Sequence, residues 1–170
     1  MLNPVVQQGL NDLLNAELYS AYMHFTMSAY FGAANLGGIA NWLQKRAGNE
    51  LDHAREFMDL IVHRQGQVQA CDVAAPPSMY SSPVSALDEL RRHEERTTGM
   101  MNDLMGKAIE ACDFPTVAYL LELSKRQVAE ESDVTQMCMK VHETCEGPPG
   151  LCLLDHELQH HKSHLTQELP

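Results

Sequence analysis

Apolar residues recur every three or four positions along most of this chain, the spacing of one face of an α-helix. The first stripe runs Val6, Leu10, Leu13, Glu17, Ala21, His24, Ser28 and Phe31. It follows Asn3-Pro4, a capping residue and a proline suited to the first helical position, and predicts a helix over 4–31. A second stripe, with Ile39, Leu43, Phe57 and Leu60, predicts a helix over 35–65 that stops at Gly66. Gly37-Gly38 should close the short connection between these two helices, making them antiparallel. From Gly66 to Pro83 the periodicity lapses into Pro76-Pro77, Ser78, Ser81, Ser82 and Pro83. So long a connection is uncommon in a compact domain and can cross the full length of a bundle. A third helix over 83–111 carries Leu87, Leu90, Glu94, Thr97, Met101, Leu104, Ala108 and Ala111. Asp113-Phe114-Pro115 opens a fourth, over 115–146, with Thr116, Leu120, Leu123, Gln127, Glu130, Val134, Met137 and Val141. It ends at Gly147-Pro148-Pro149-Gly150, and a short fifth helix over 150–165 places Leu151, Leu154, Leu158 and Leu165 on one face. No sustained alternation marks a strand. Four helices, each about 40 Å long at about 1.5 Å per residue, with one long crossover, make an all-α four-helix bundle. One domain is expected over residues 1–170.

The stripes contain polar intruders where a core wants leucine. Helix one has Glu17, helix two Glu50 and His53, helix three Glu94, helix four Gln127 and Glu130. Each lies near the middle of its helix, so bundle packing brings them to one height. Glu50 and His53 are three residues apart and share a face. A carboxylate held unpaired in an apolar interior costs several kcal/mol, and four would not be tolerated. Two divalent cations would neutralise four carboxylates. Oxygen donors with one imidazole and no thiolate suit iron, manganese or zinc. Bridging glutamates can hold two such ions about 3.5–4 Å apart, close enough to act on one small molecule.

The overall charge fits cations as partners. The 170 residues carry a formal charge of −11, which argues against nucleic acid and against anionic membrane surfaces. An apolar share of 44% suits a globular protein, and no window is apolar enough to span a bilayer. Met-Leu-Asn-Pro-Val-Val lacks the features of a signal peptide. Cys71, Cys112, Cys138, Cys145 and Cys152 are odd in number and include no CxxC, which fits reduced thiols in a cytoplasmic protein.

Particular segments go further. Asn15-Ala-Glu-Leu-Tyr-Ser20, Glu50-Leu-Asp-His53, His93-Glu94, Asp113-Phe-Pro-Thr116 and the stretch from Gln127 to Glu131 resemble the bacterial non-haem ferritins, over nearly the whole chain. The resemblance implies a ferroxidase. A di-iron centre would oxidise Fe(II) with O2 or H2O2, and ferric oxide mineral would be stored in a cage of twenty-four subunits. It also implies that Glu17, Glu50 and His53 hold the first iron, that Glu50 bridges, and that Glu94 and Glu130 hold the second with Gln127 beside it.

The departures from that family are specific. A tyrosine is usual seven residues after the first glutamate; here the residue is His24. It faces the core near the metals as an extra ligand, a proton carrier, a partner orienting a carboxylate, or a packed core histidine. The acids of a third iron site are replaced by Asn49, Arg126 and Ala129, so no strong third site is expected. Asp52, where haem-binding relatives carry methionine, argues against haem. Val117 and Leu120 stand where animal ferritins line a three-fold channel with acids, so iron is expected to arrive by another route. His156, His160 and His164 recur every four residues on the last helix, as a polar solvated face or, by the resemblance, a ring around a four-fold channel. Methionines such as Met100, Met101, Met105, Met137 and Met139 read as filler of core or interface. Three rival readings are a DNA-protecting mini-ferritin, a soluble di-iron oxygenase or peroxidase, and a metal-free helical assembly protein whose polar core residues merely fix register. The first usually places its ligands between subunits; the second would not form a cage.

Overall fold

The computed structural model describes residues 2–144 and 148–160. Five helices follow one another: α1 (Pro4–Ala33), α2 (Gly37–His63), α3 (Pro83–Glu110), α4 (Phe114–Thr144) and α5 (Pro148–His160). Among the described residues there is no strand, and no helix is long and apolar enough to cross a membrane. The fold is the all-α four-helix bundle with a short C-terminal helix that the periodicity predicts. Helix ends agree with the expected ones to within a few residues; the expected end of the fourth helix at residue 146 and of the fifth at residue 165 lie outside the described residues.

The boundaries have local causes. Asn3 accepts from the Val5 amide at 2.9 Å ahead of Pro4, and Ser82 and Ser85 form a reciprocal cap ahead of α3. At the C-terminal ends, Asn35, Gln65 and Cys112 take φ of 59°, 55° and 52°. These left-handed residues turn the chain out of the helix. The stop after α2 is therefore made at Gln65 rather than at Gly66.

The Gly37-Gly38 pair also has a different role from the one expected. It does not close the loop; it opens α2. A Cβ on Gly38 would lie 2.0 Å from the backbone oxygen of Asp155 in α5, so this glycine permits close helix approach. Asp155 then accepts from the Ile39 amide at 2.9 Å and caps α2 from across the structure, since Leu36 offers no side-chain cap.

The crossover between α2 and α3 is strapped along α1. Gln67 donates its amide to Gln7 Oε1 at 2.9 Å, Gln69 donates to Asn11 Oδ1 at 2.7 Å, and Tyr80 packs edge-on against Tyr30 at 5.1 Å. Residues 7 to 30 of α1 span about 35 Å, so the crossover returns the chain to the other end and α3 runs parallel to α2. Leu104 of α3 meets Gly9, and Met101, Thr98 and Cys138 tie α3 to α4.

Three sides of the bundle are packed: α1 on α2, α1 on α3, and α3 on α4. On the fourth, no described Cα of α2 comes within 8 Å of one on α4, and side-chain pairs such as Arg126–Glu56 and His53–Glu130 span the wider gap. A groove of about 730 Å³ fills that gap, bridged at one end by α5, whose Leu154 and Leu158 line it. The apolar core is split into two clusters. One centres on Met23, Met27, Phe31, Ile39, Leu43 and Leu90, the other on Leu10, Leu13, Phe57, Ile61, Leu104 and Leu120. The polar intruders lie between them.

Candidate metal centre

Each helix brings its polar residue into the layer because that residue continues the buried stripe. Glu17, His24, Glu50, Glu94 and Gln127 are all buried, and His53 and Glu130 are nearly so, on the side facing the groove. All six residues expected to ligate metal therefore come to one level.

They form two clusters. In the first, His53 Nδ1 lies 3.2 Å from Glu50 Oε2 and 4.0 Å from Glu17 Oε2. In the second, His24 Nδ1 lies 3.6 Å from Glu50 Oε1, and His24 Nε2 lies 3.6 Å from Glu94 Oε1. Within each trio one donor atom per residue can be chosen so that all lie within 4.8 Å of one another. Glu50 faces one cluster with each of its oxygens, the position of a bridging carboxylate. Gln127 donates to Glu94 Oε2 at 3.2 Å. Glu130 belongs to neither trio; its Oε1 is 3.6 Å from His53 Nε2, and its Oε2 has no hydrogen-bond partner.

One charged residue escaped the sequence reading. Arg46 is buried in this layer, donating from Nη2 to Glu94 Oε1 at 2.8 Å and standing 3.8 Å from Glu50 Oε1. The signal was present: Arg46 falls three residues after Leu43 and four before Glu50, on the same stripe. His93 was likewise undervalued. It is buried against Tyr19 and hydrogen-bonded to Ser20 Oγ, tying α3 to α1.

Arg46 changes the electrostatics. The charge count from sequence left four carboxylates to be compensated by metal alone; in the folded chain a guanidinium compensates part of that charge. Burial pushes the Glu94 carboxyl upward, but His24 and Arg46 outweigh it and hold it down at about 2. Burial also opposes ionisation of Glu50, and His53, His24 and Arg46 overcome it, so its acidity is strengthened. Glu17 has no such help. Burial and the Glu50 charge raise it well above the ordinary carboxylate range. Burial, with Glu50 again, raises Glu130 to about 7. The layer thus holds two firmly ionised carboxylates near Arg46 and two that retain protons readily.

The groove between α2 and α4 opens onto this layer. Arg46, His53 and Glu130 line it, with Asp52, Glu56 and Asp133 nearer solvent. Of the positions read as a lapsed third site, Asn49, Arg126 and Ala129 all line the same groove, and Arg126 is ion-paired to Glu56. On α5, His156 and His160 are exposed with rings 4.1 Å apart; His164 lies outside the described residues. Of the cysteines, Cys71, Cys112, Cys138 and Cys152 are free thiols, with Cys138 buried; Cys145 lies outside the described residues.

Buried carboxylates on α1, α2 and α3, with Glu50 shared between two trios, are candidate metal-binding groups. Residues 7–144 match the family model for the ferritin-like domain. This chain belongs to the ferritin family. Among curated relatives, a bacterial non-heme ferritin of Bacteroides fragilis is 25% identical over 158 residues, covering 93% of this chain and 98% of the relative. One from Escherichia coli is 28% identical over 158 residues, covering 93% and 96%. Among solved structures, the open pore ferritin of the archaeon Archaeoglobus fulgidus superposes with a TM-score of 0.91 at 31% identity, covering 95% of this ferritin and 100% of that chain.

Proposed function

We propose that this ferritin stores iron. It oxidises Fe(II) to Fe(III) at a centre built from Glu17, Glu50, His53, Glu94 and Glu130, and keeps the product as ferric oxide mineral inside a cage of its own copies. The observation that carries this reading is Glu50, buried at mid-bundle with one oxygen toward Glu17 and His53 and the other toward His24 and Glu94. Two Fe(II) ions gathered around it supply two electrons, enough to reduce dioxygen to hydrogen peroxide or hydrogen peroxide to water. Carboxylates favour the ferric product because hard oxygen donors stabilise the higher charge.

The groove between α2 and α4 gives Fe(II) a path from solvent to His53 and Glu130 without passing through packed core. Both trios are built within one chain, which separates this reading from a mini-ferritin with ligands shared between subunits. The cage is inferred from the family and from the likeness to the Archaeoglobus ferritin, with twenty-four subunits in the cytoplasm as the expected form. Haem has no part in this reading.

Anaerobic Fe(II) loading followed by oxygen tests it. A fast oxidation phase of two irons per subunit is expected in the ultraviolet ferric absorbance, and Glu50→Ala abolishes it. An unchanged fast phase in that variant defeats the assignment. Light scattering should give the mass of a many-subunit shell; a monomeric or dimeric mass defeats the storage part.

A further inference from the structure

We propose that His24 completes a second metal site with Glu50 and Glu94, and that Arg46 holds this site as a tethered cation until a second divalent ion displaces it. The proposal rests on the reading of the acid layer as a metal centre and specifies how that centre fills.

His24 is the first ground. It is 0% exposed, and neither ring nitrogen has a hydrogen-bond partner, although each faces a carboxylate oxygen at 3.6 Å. A buried imidazole with both nitrogens unsatisfied is unfavourable for stability alone. It is well placed to ligate a metal through one nitrogen while the other turns to a carboxylate, a common arrangement of metal-bound histidine. The resemblance assigned the second metal to Glu94 and Glu130. In this chain the His24 imidazole also stands beside Glu94, and Glu130 reaches His53.

Arg46 is the second ground. Its Nη2 approaches Glu94 Oε1 at 2.8 Å and Glu50 Oε1 at 3.8 Å, the same two oxygens that face His24. The guanidinium therefore neutralises the atoms that a second ion would bind. Among the described residues no arginine is ion-paired to Glu17, and Arg46 meets Glu50 at the oxygen turned to His24, not at the one turned to His53.

Arg46 also has a way out. It lines the α2–α4 groove, its guanidinium stacks over the Trp42 ring at 5.2 Å, and its Nε is without a hydrogen bond. Swinging outward along Trp42 takes it toward Asp133 and water, where the groove has room. Binding is then stepwise. The first ion enters at Glu17, Glu50 and His53; the second must break a charge-assisted hydrogen bond, which makes its step roughly ten- to a hundredfold weaker.

Anaerobic Co(II) titration of the assembled protein, followed by calorimetry and by visible d–d absorption, separates the steps. The wild type should take up two Co(II) per subunit in two resolved phases. Arg46→Gln should tighten the second phase by about tenfold or more, while Arg46→Lys, which keeps a cation, retains the gap. His24→Leu should lose the second phase and keep the first; if that variant fails to assemble, His24→Gln should weaken the second phase alone. Helical content and assembly mass are measured on each variant. Two Co(II) bound by His24→Leu with wild-type affinities, or an unchanged gap in Arg46→Gln, overturns the proposal while leaving the metal centre standing. Absence of any Co(II) uptake by the wild type overturns the metal-centre reading and this proposal with it.

Discussion

Arg46→Gln in the metal-free protein isolates what a buried cation contributes to the acid layer. The guanidinium donates to Glu94 at 2.8 Å and faces Glu50 at 3.8 Å. Loss of a hydrogen bond to an ionised partner removes about 1.5–3 kcal/mol. The attraction to Glu50 at that separation is about 4 kcal/mol gross at an effective dielectric of about 20. Against both stands the several kcal/mol recovered when a guanidinium no longer has to be buried. The groove beside Arg46 admits water to the vacated position, so the net loss should lie near 2–4 kcal/mol, below or at the low end of that for breaking a sealed ion pair. For a chain of this size that lowers the melting temperature by roughly 5–15 °C. The assay is thermal unfolding by circular dichroism with chelator present, at matched protein concentration. Adding Glu94→Gln to the variant should restore more than half of the loss, because the stranded charge is gone. A divalent metal in place of chelator should also narrow the gap, since the ion takes over the role of the guanidinium. If Arg46→Gln melts within about 2 °C of the wild type in chelator, or if the second substitution only lowers it further, the buried-cation account fails.

Two other perturbations act away from the centre. Gly38→Ala would drive a methyl group into the Asp155 carbonyl, 2.0 Å from the added carbon, and a backbone oxygen cannot rotate aside. It should undock α5, with loss of the Asp155 cap and of Leu154 burial amounting to about 2–4 kcal/mol; faster hydrogen exchange in residues 150–160 checks it, and wild-type exchange there refutes it. Asp113 precedes α4, accepts from Thr116 Oγ1 at 2.9 Å and pairs with Arg64 at 2.8 Å. Burial raises its pKa, but Arg64 and Thr116 overcome this and leave it below the ordinary value. A carboxylate depressed in the folded state stabilises fully above its unfolded pKa of about 4, and that contribution is lost as pH falls through the folded value. Asp113→Asn, which keeps a capping oxygen, should therefore melt lower than the wild type by about 1 kcal/mol at neutral pH, with the difference closing in acid. A gap that fails to narrow as pH falls below the unfolded pKa of about 4 would contradict the linkage.

What could be read from the sequence follows from how often each signal repeats. A stripe such as Val6 to Phe31 states its period seven times over, so helix existence, the buried face and the level of Glu17 were secure. The crossover was legible because Pro76 and Pro77 exclude helix and Pro83 marks the next helix start, and its contacts with Gln7, Asn11 and Tyr30 confirm its path. Single-residue chemistry was less legible. Gly37-Gly38 reads as a turn by composition, and only the position of α5 shows that Gly38 instead makes room for a neighbouring backbone. Neither the α2–α4 gap nor the place of His24 between Glu50 and Glu94 can be obtained from one helix at a time. Both depend on how far each helix is rotated and slid against the others.

Arg46 is the instructive case: its spacing puts it on the stripe, yet it was not singled out from the sequence. Arginine is read as a surface residue, and an acid layer without it demands full compensation by metal. With it, the layer holds a cation of its own, Glu17 and Glu130 retain protons readily, and the empty centre is electrostatically tolerable. On the proposed function, that matters because such a centre must fill, turn over and empty many times. A bundle that depended on its ions for neutrality would be destabilised at every release. One that carries its own counterion keeps its fold between cycles, at the expense of affinity at the second position.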